Sequence, residues 1–291
     1  MPWTAVVNPA AGRGRTRRLL PELTAALGAV DDVEVHVSDS PDAPVALARR
    51  AADAGRDLVA VGGDGLVGTL AGIAASTGRR LAVVPSGAGN DFARNLGYDP
   101  KRPLDALRVL GDAGTDRTVD LGRVNGRAFT TVAAIGFDAE ANRWANTVTR
   151  LSGTPLYVAA VLRTLVRYRP KRFRLTIDTA EIELDAWLIA SGNGPAYGGG
   201  MRIAPRASLD DGLLDVVVVG PMSVGKLLVT FPKVFRGAHE RHPAVTIQRG
   251  RQVRIEALDA DLEAYADGER VGPLPAAIDA WPDALVARVP H

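Results

Sequence analysis

The chain has no cysteine, only three methionines and 5% aromatic residues. Without cysteine there is neither a disulfide framework nor thiolate chemistry. That suits a reducing compartment, so a cytoplasmic location is expected. No run approaches the roughly eighteen uninterrupted apolar residues of a membrane span. The first residues read as a strand and a loop, not as a basic segment followed by an apolar one, so no signal peptide is expected. Internal repeats and low-complexity linkers are absent. Of the four histidines only His239 and His242 lie close in sequence, and with no third ligand they read as loop residues, not as a zinc site. Acidic residues are missing from one stretch, 141–177, which carries Arg143, Arg150, Arg163, Arg167, Arg169, Lys171, Arg172 and Arg174. Inside it Val158, Val161, Leu162, Leu165 and Val166 recur at helical spacing. This is either a helix packed on its own domain with solvated arginines or a transient docking surface for anionic lipid. No nucleic-acid motif accompanies the basic run, so no nucleic-acid partner is expected.

What the chain does have is glycine, 31 residues of it, concentrated where apolar runs end. Leu58-Val59-Ala60-Val61 stops at Gly62-Gly63-Asp64-Gly65. Leu81-Ala82-Val83-Val84 stops at Pro85-Ser86-Gly87-Ala88-Gly89-Asn90-Asp91. Ala5-Val6-Val7 runs into Asn8-Pro9-Ala10-Ala11-Gly12. Each apolar run reads as a buried strand, and each loop precedes a plausible helix. Backbone amides in such loops cradle phosphate, and ligands of open α/β sheets bind at the carboxyl ends of the strands. Any one loop could be an ordinary turn; three together are far more specific.

The order NPxxG, GGDG, PxGxxNDFAR resembles the diacylglycerol kinase catalytic family, which includes bacterial lipid kinases and the sphingosine and ceramide kinases. More distantly it is similar to NAD kinases and phosphofructokinases. The resemblance runs on through Val119-Asp120-Leu121-Gly122, Gly136-Phe137-Asp138, Gly192-Asn193, Ser208-Leu209-Asp210-Asp211-Gly212-Leu213 and Asp267-Gly268-Glu269, covering essentially the whole chain. It implies an ATP- and Mg²⁺-dependent kinase of diacylglycerol or a related lipid alcohol, peripherally associated with a membrane. A kinase of a soluble hydroxyl compound and a non-catalytic nucleotide- or lipid-binding relative are the alternatives. A homodimer is open to it.

Carried over residue by residue, the resemblance places the nucleotide against Asn8, Pro9, Ala10, Ala11 and Gly12, against Gly62, Gly63, Asp64, Gly65, Leu66 and Thr69, and against Gly87, Ala88 and Asn90. Asp64, Asp91 and Asp120 would organise the catalytic Mg²⁺. Glu269 would accept the lipid hydroxyl proton, with Asp267 as its partner or a second acidic contact. Asp211, with backbone oxygens of Ser208 and Leu213, would hold a structural Mg²⁺. Read without the resemblance, Asp267-Gly268 is a strong turn signal.

Two departures bear on nucleotide binding. The family pattern GGDGT-x-Asn-Glu has Leu66 for its Thr and Gly68-Thr69 for its Asn-Glu, and Ala88 replaces a second Thr. Each lost hydrogen bond to a charged group costs about 1.5–3 kcal/mol unless Thr69 or backbone amides compensate.

The alternation of strands and helices over residues 1–125 predicts a parallel-sheet α/β nucleotide-binding domain, with 45–52 and 103–110 the clearest helices. After that, 129–134, 173–177, 186–190, 214–219 and 252–256 read as strands separated by turns. This predicts an antiparallel β-sandwich for the lipid over 126–291, with the active site in a cleft between the two. A last strand at 285–289 is assigned to neither domain by the sequence.

Overall fold

The computed structural model describes residues 2–40, 42–111, 113–137, 164 and 168–291. The described chain forms two compact units, Met1–Asp120 with Asp283–His291, and Leu121–Pro282. The basic amphipathic stretch read at 141–177 lies largely outside the described residues, including Arg163 and Arg167.

The first unit alternates β1 (Trp3–Val7), α1 (Ala11–Gly28), β2 (Val33–Val37), α2 (Ala43–Asp53), β3 (Asp57–Gly62), α3 (Asp64–Thr77), β4 (Arg80–Pro85) and α4 (Asp91–Asn95). Its sheet has the order β2-β1-β3-β4, and all three pairings are parallel. In register Val7 stands beside Val37 and Val61, and Gly62 beside Pro85. The carboxyl ends of four strands therefore share one edge. β1, β3 and β4 are buried along almost their whole length because helices cover both faces, which is why they read as unbroken apolar runs.

The segment 103–110 is not an α-helix. Asp105–Leu110 is a 3₁₀ turn with an i→i+3 bond from Leu107 N–H to the Leu104 carbonyl. Pro103 before it and Gly111 after it leave only enough chain for a tight turn.

β5 (Gly114–Val124) carries the chain out of the first unit. The second unit adds β6 (Arg127–Phe129), β7 (Val132–Gly136), β8 (Lys171–Ile177), β9 (Ala180–Ala186), β10 (Leu188–Gly192), β11 (Leu214–Val219), α5 (Val224–Thr230), β12 (Val245–Gly250), β13 (Gln252–Ala257), β14 (Glu263–Ala266) and β15 (Glu269–Pro273). β16 (Ala276–Pro290) brings the chain back: Ala276–Asp279 pairs antiparallel with β13, and Val286–Arg288 pairs parallel with β4.

A six-stranded antiparallel sheet, β12-β11-β10-β7-β14-β15, organises the second unit. β11 shows why its sequence has no polar alternation. Leu214, Val216 and Val218 face a core shared with Phe173, Leu175 and Ile255. Val217 and Val219 face a second core with Phe137, Tyr168 and Trp187. Both faces are covered, so both sets must be apolar.

Two expected strands are broken in instructive places. The 129–134 run divides at Thr130-Thr131, whose N–H groups are drawn away to Asp267. The 186–190 run divides at Trp187, which separates β9 from β10; its N–H bonds to the Val219 carbonyl. Edge strand β9 escaped detection because it is mostly exposed and carries little apolar pattern.

Candidate functional site

The three glycine loops meet at the carboxyl edge of the first unit's sheet. Asn8 N–H bonds to the Val61 carbonyl, and the N–H groups of Ser86 and Gly87 both bond to Gly62. The β3 and β4 loops touch so closely that a Cβ on Gly87 would lie 2.3 Å from the Gly63 Cα. A Cβ on Gly12, which has φ +60°, would lie 2.4 Å from the Ser86 carbonyl oxygen. These glycines serve the contact between loops before they serve any ligand. Thr16 at the base of α1 donates to the Ser86 hydroxyl at 2.7 Å and fixes the third loop to the second.

Asp64 starts α3 and crosses to α4. Its Oδ2 accepts the Asn90 N–H and its Oδ1 the Asp91 N–H, both at 2.7 Å. A carboxylate at the first turn of two helices complements both dipoles. Asn90 sits in the left-handed region (φ 57°), and its side chain closes on Gly87 in both directions. A Cβ added at Gly89 would lie 2.6 Å from Asp64 Oδ2 and 3.1 Å from Asp91 Oδ2. Two carboxylates, one of them on the buried Asp91, therefore border a single point. Asp120 is also buried, and its Oδ1 accepts the Asp283 N–H at 2.8 Å where the chain re-enters this unit.

The departures from the family pattern have structural roles. Leu66 is buried in the core side of α3. The Thr69 hydroxyl donates to the Gly65 carbonyl one turn back, so its proton is spent within the helix. Ala88 is exposed between Gly87 and Gly89.

In the second unit Asp267 (φ 49°) and Gly268 (φ 82°) form the two-residue turn joining β14 to β15. The Asp267 carboxylate accepts five bonds. Thr130 N–H and hydroxyl reach Oδ2 at 2.6 and 2.8 Å, while Thr131 N–H, Thr131 hydroxyl and Val132 N–H reach Oδ1 at 2.8, 2.6 and 3.2 Å. Such a saturated carboxylate clamps the turn to the Thr130–Val132 segment. Glu269, beside it, is exposed, and no described residue holds its carboxylate.

At the acidic loop, Asp211 Oδ1 accepts the Leu213 N–H at 3.1 Å, and its Oδ2 lies 3.5 Å from Arg249 Nη1. The same guanidinium bonds to the buried Asp215 through Nε at 2.7 Å. Burial raises the Asp215 carboxyl, against the opposing pull of Arg249. Ser208 donates to Asp210. Among the described residues no group of three or more His, Cys, Asp or Glu is arranged to hold a metal ion.

Sequence reasoning missed an apolar cavity of about 70 Å³ within the second unit. Phe137, Trp187, Met201, Ile203, Leu227 and Phe231 line it. So does His239, which is 3% exposed and sits in the short 3₁₀ turn Ala238–Arg241. Its Nε2 lies 3.0 Å from the Ile203 carbonyl, and burial holds the ring below the usual histidine range. The cavity was not legible because its walls come from segments more than a hundred residues apart.

A nucleotide-type α/β unit with converging glycine loops, followed by an antiparallel β unit, is the architecture of a two-domain kinase. Residues 2–124 match the diacylglycerol kinase catalytic domain, and residues 131–288 match the YegS C-terminal NAD kinase beta sandwich-like domain. A diacylglycerol kinase of Mycobacterium tuberculosis is 40% identical over 290 residues, 97% of this chain and 93% of the relative. A diacylglycerol kinase of Staphylococcus aureus is 28% identical over 276 residues, 93% of this chain and 87% of the relative. The crystal structure of a diacylglycerol kinase from Bacillus anthracis superposes with a TM-score of 0.75 at 22% identity, covering 100% of this chain and 97% of that one, a likeness of fold. The chain belongs to the diacylglycerol kinase family, phosphotransferases with a lipid alcohol as acceptor.

Proposed function

We propose that this protein transfers the γ-phosphoryl group of ATP, with Mg²⁺, to the hydroxyl of diacylglycerol or a closely related lipid alcohol. The observation that carries the reading is the pair of carboxylates, Asp64 and Asp91, that border one point beside Gly89 in the glycine-loop junction. Mg²⁺ takes oxygen ligands, usually one or two carboxylates completed by phosphate oxygens and water. The donors here suit it in kind and number, and bound Mg²⁺ would neutralise charge on the phosphates. The three glycine loops would receive the polyphosphate through those backbone N–H groups that the loop junction does not itself use, which need no side-chain hydroxyl. This accommodates Leu66 and Ala88. Two further features support the lipid acceptor. The apolar cavity has walls suited to an acyl chain. Glu269, exposed at the start of β15 just after the turn that Asp267 clamps, would act as general base for the hydroxyl proton.

The test is transfer of labelled γ-phosphate from ATP to diacylglycerol, monoacylglycerol, sphingosine, ceramide and phosphatidylglycerol in mixed micelles. Glu269→Gln should lower the rate at least about a hundredfold with ATP affinity unchanged. Asp64→Asn should weaken Mg²⁺-dependent ATP binding itself. Labelled product from Glu269→Gln at the wild-type rate would sink the base assignment, and absence of any labelled lipid from the wild type would sink the lipid acceptor.

A further inference from the structure

The short helix α5 has two sides of the same chemistry and opposite surroundings. Leu227 and Thr230, with Phe231 and Val234 just beyond, wall the apolar cavity. At about 100° per residue, Val229 falls opposite this row and Leu228 on its flank, while Val224, three residues before Leu227, continues the row at the open N-terminal end of the helix. They are exposed: Val229 by 67%, Leu228 by 41% and Val224 by 36%. Aliphatic side chains clustered in solvent on one element mark an interaction surface, not a core. The flanking charge is of one sign. Between Asp215 and Glu240 there is no acidic residue, while Lys226, Lys233 and Arg236 are all exposed. Glu240, where acidity resumes, is paired with Arg206 at 3.0 Å.

We propose that the outer side of α5, together with Lys226, Lys233 and Arg236, is the surface through which the protein enters the interface of an anionic phospholipid bilayer. The aliphatic side chains would sink to the acyl boundary while the cations stay at headgroup level. A bilayer is the occupant that matches both halves of the surface, since a protein groove would offer no reason for cations around an apolar tip with no acid among them. The inner side of the same helix walls the cavity, so a lipid leaving the bilayer at α5 meets apolar protein immediately. The cargo rests on the lipid-kinase reading; the docking does not.

The experiment is co-sedimentation of the full chain with vesicles of phosphatidylcholine alone and of phosphatidylcholine mixed with phosphatidylglycerol. The wild type should bind the anionic vesicles. Val229→Glu and, separately, Leu228→Glu should bind at least about tenfold more weakly. Lys226→Gln, Lys233→Gln and Arg236→Gln should each cost about fivefold, with a reduced sensitivity to salt. Both aliphatic positions are exposed, so unchanged circular dichroism and melting serve as the fold control. Phosphoryl transfer is measured in parallel to a soluble short-chain diacylglycerol and to the vesicle-borne lipid. A selective loss on vesicles in Val229→Glu supports the proposal. Wild-type vesicle binding by both glutamate variants overturns it. If no protein transfers phosphate to either lipid but vesicle binding still depends on Val229, the kinase reading fails and the docking surface stands.

Discussion

Asp267 and Glu269 are two residues apart and physically opposite. Asp267 receives five donors, three of them backbone N–H groups. Charge-assisted bonds of this length are the strong kind, and removing one acceptor strands a desolvated donor. In Asp267→Asn an amide NH₂ must face donors whichever way it turns. We expect a loss of roughly 2–4 kcal/mol. Thermal unfolding should register this as a fall of about 5–10 °C. Glu269→Gln should melt like the wild type, because among the described residues nothing holds that carboxylate. Equal melting of Asp267→Asn and wild type would show that the five bonds do not carry the turn.

At the scale of elements, the parallel strands of the first unit were legible because both faces are covered, leaving bare apolar runs punctuated by glycine. The antiparallel half was less so. β14 and β15 contain only four and five residues, and the Asp-Gly turn between them was the one clear signal. The breaks at Thr130-Thr131 and Trp187 were invisible because they depend on partners elsewhere in the chain, Asp267 and Val219. The same limit applies to the acidic loop. Sequence put Asp211 there but could not supply Arg249, which arrives from β12, thirty-eight positions on by 249 − 211. A structural Mg²⁺ on Asp211 and the Ser208 and Leu213 carbonyls must share the carboxylate with that guanidinium. We expect Mg²⁺ to raise the wild-type melting temperature by a few degrees, EDTA to reverse it, and Asp211→Asn to be indifferent to both. A wild type indifferent to Mg²⁺ would mean that Arg249 alone neutralises the loop.

Over the whole molecule, the chain's last residues complete its first unit. Val286–Arg288 adds a parallel strand beside β4, which would otherwise be an open edge. Arg288 fastens it: Nε donates to the Val109 carbonyl and Nη2 to the Gly111 carbonyl, both at 2.8 Å, and Nη1 pairs with Asp116 at 3.1 Å. From the other side the buried Tyr98 hydroxyl donates to the Arg288 carbonyl, and burial raises that phenol's pKa. Asp120, one of the acids assigned to the phosphoryl site, accepts the Asp283 N–H at the start of the returning segment. Removing residues 283–291 therefore strips a strand, the Arg288–Asp116 ion pair and the N–H that fixes Asp120. Such a truncation should lose ATP binding and aggregate through the bared β4 edge, although no glycine loop has been touched. Arg288→Ala tests the same link more gently, since it keeps the strand and removes only its fastening. Hydrogen exchange at the β4 amides should quicken by at least about tenfold in that variant, with exchange in β10 and β11 unchanged. Unchanged exchange at β4 would mean that the strand seats itself without Arg288, leaving Tyr98 and the backbone ladder as its anchors.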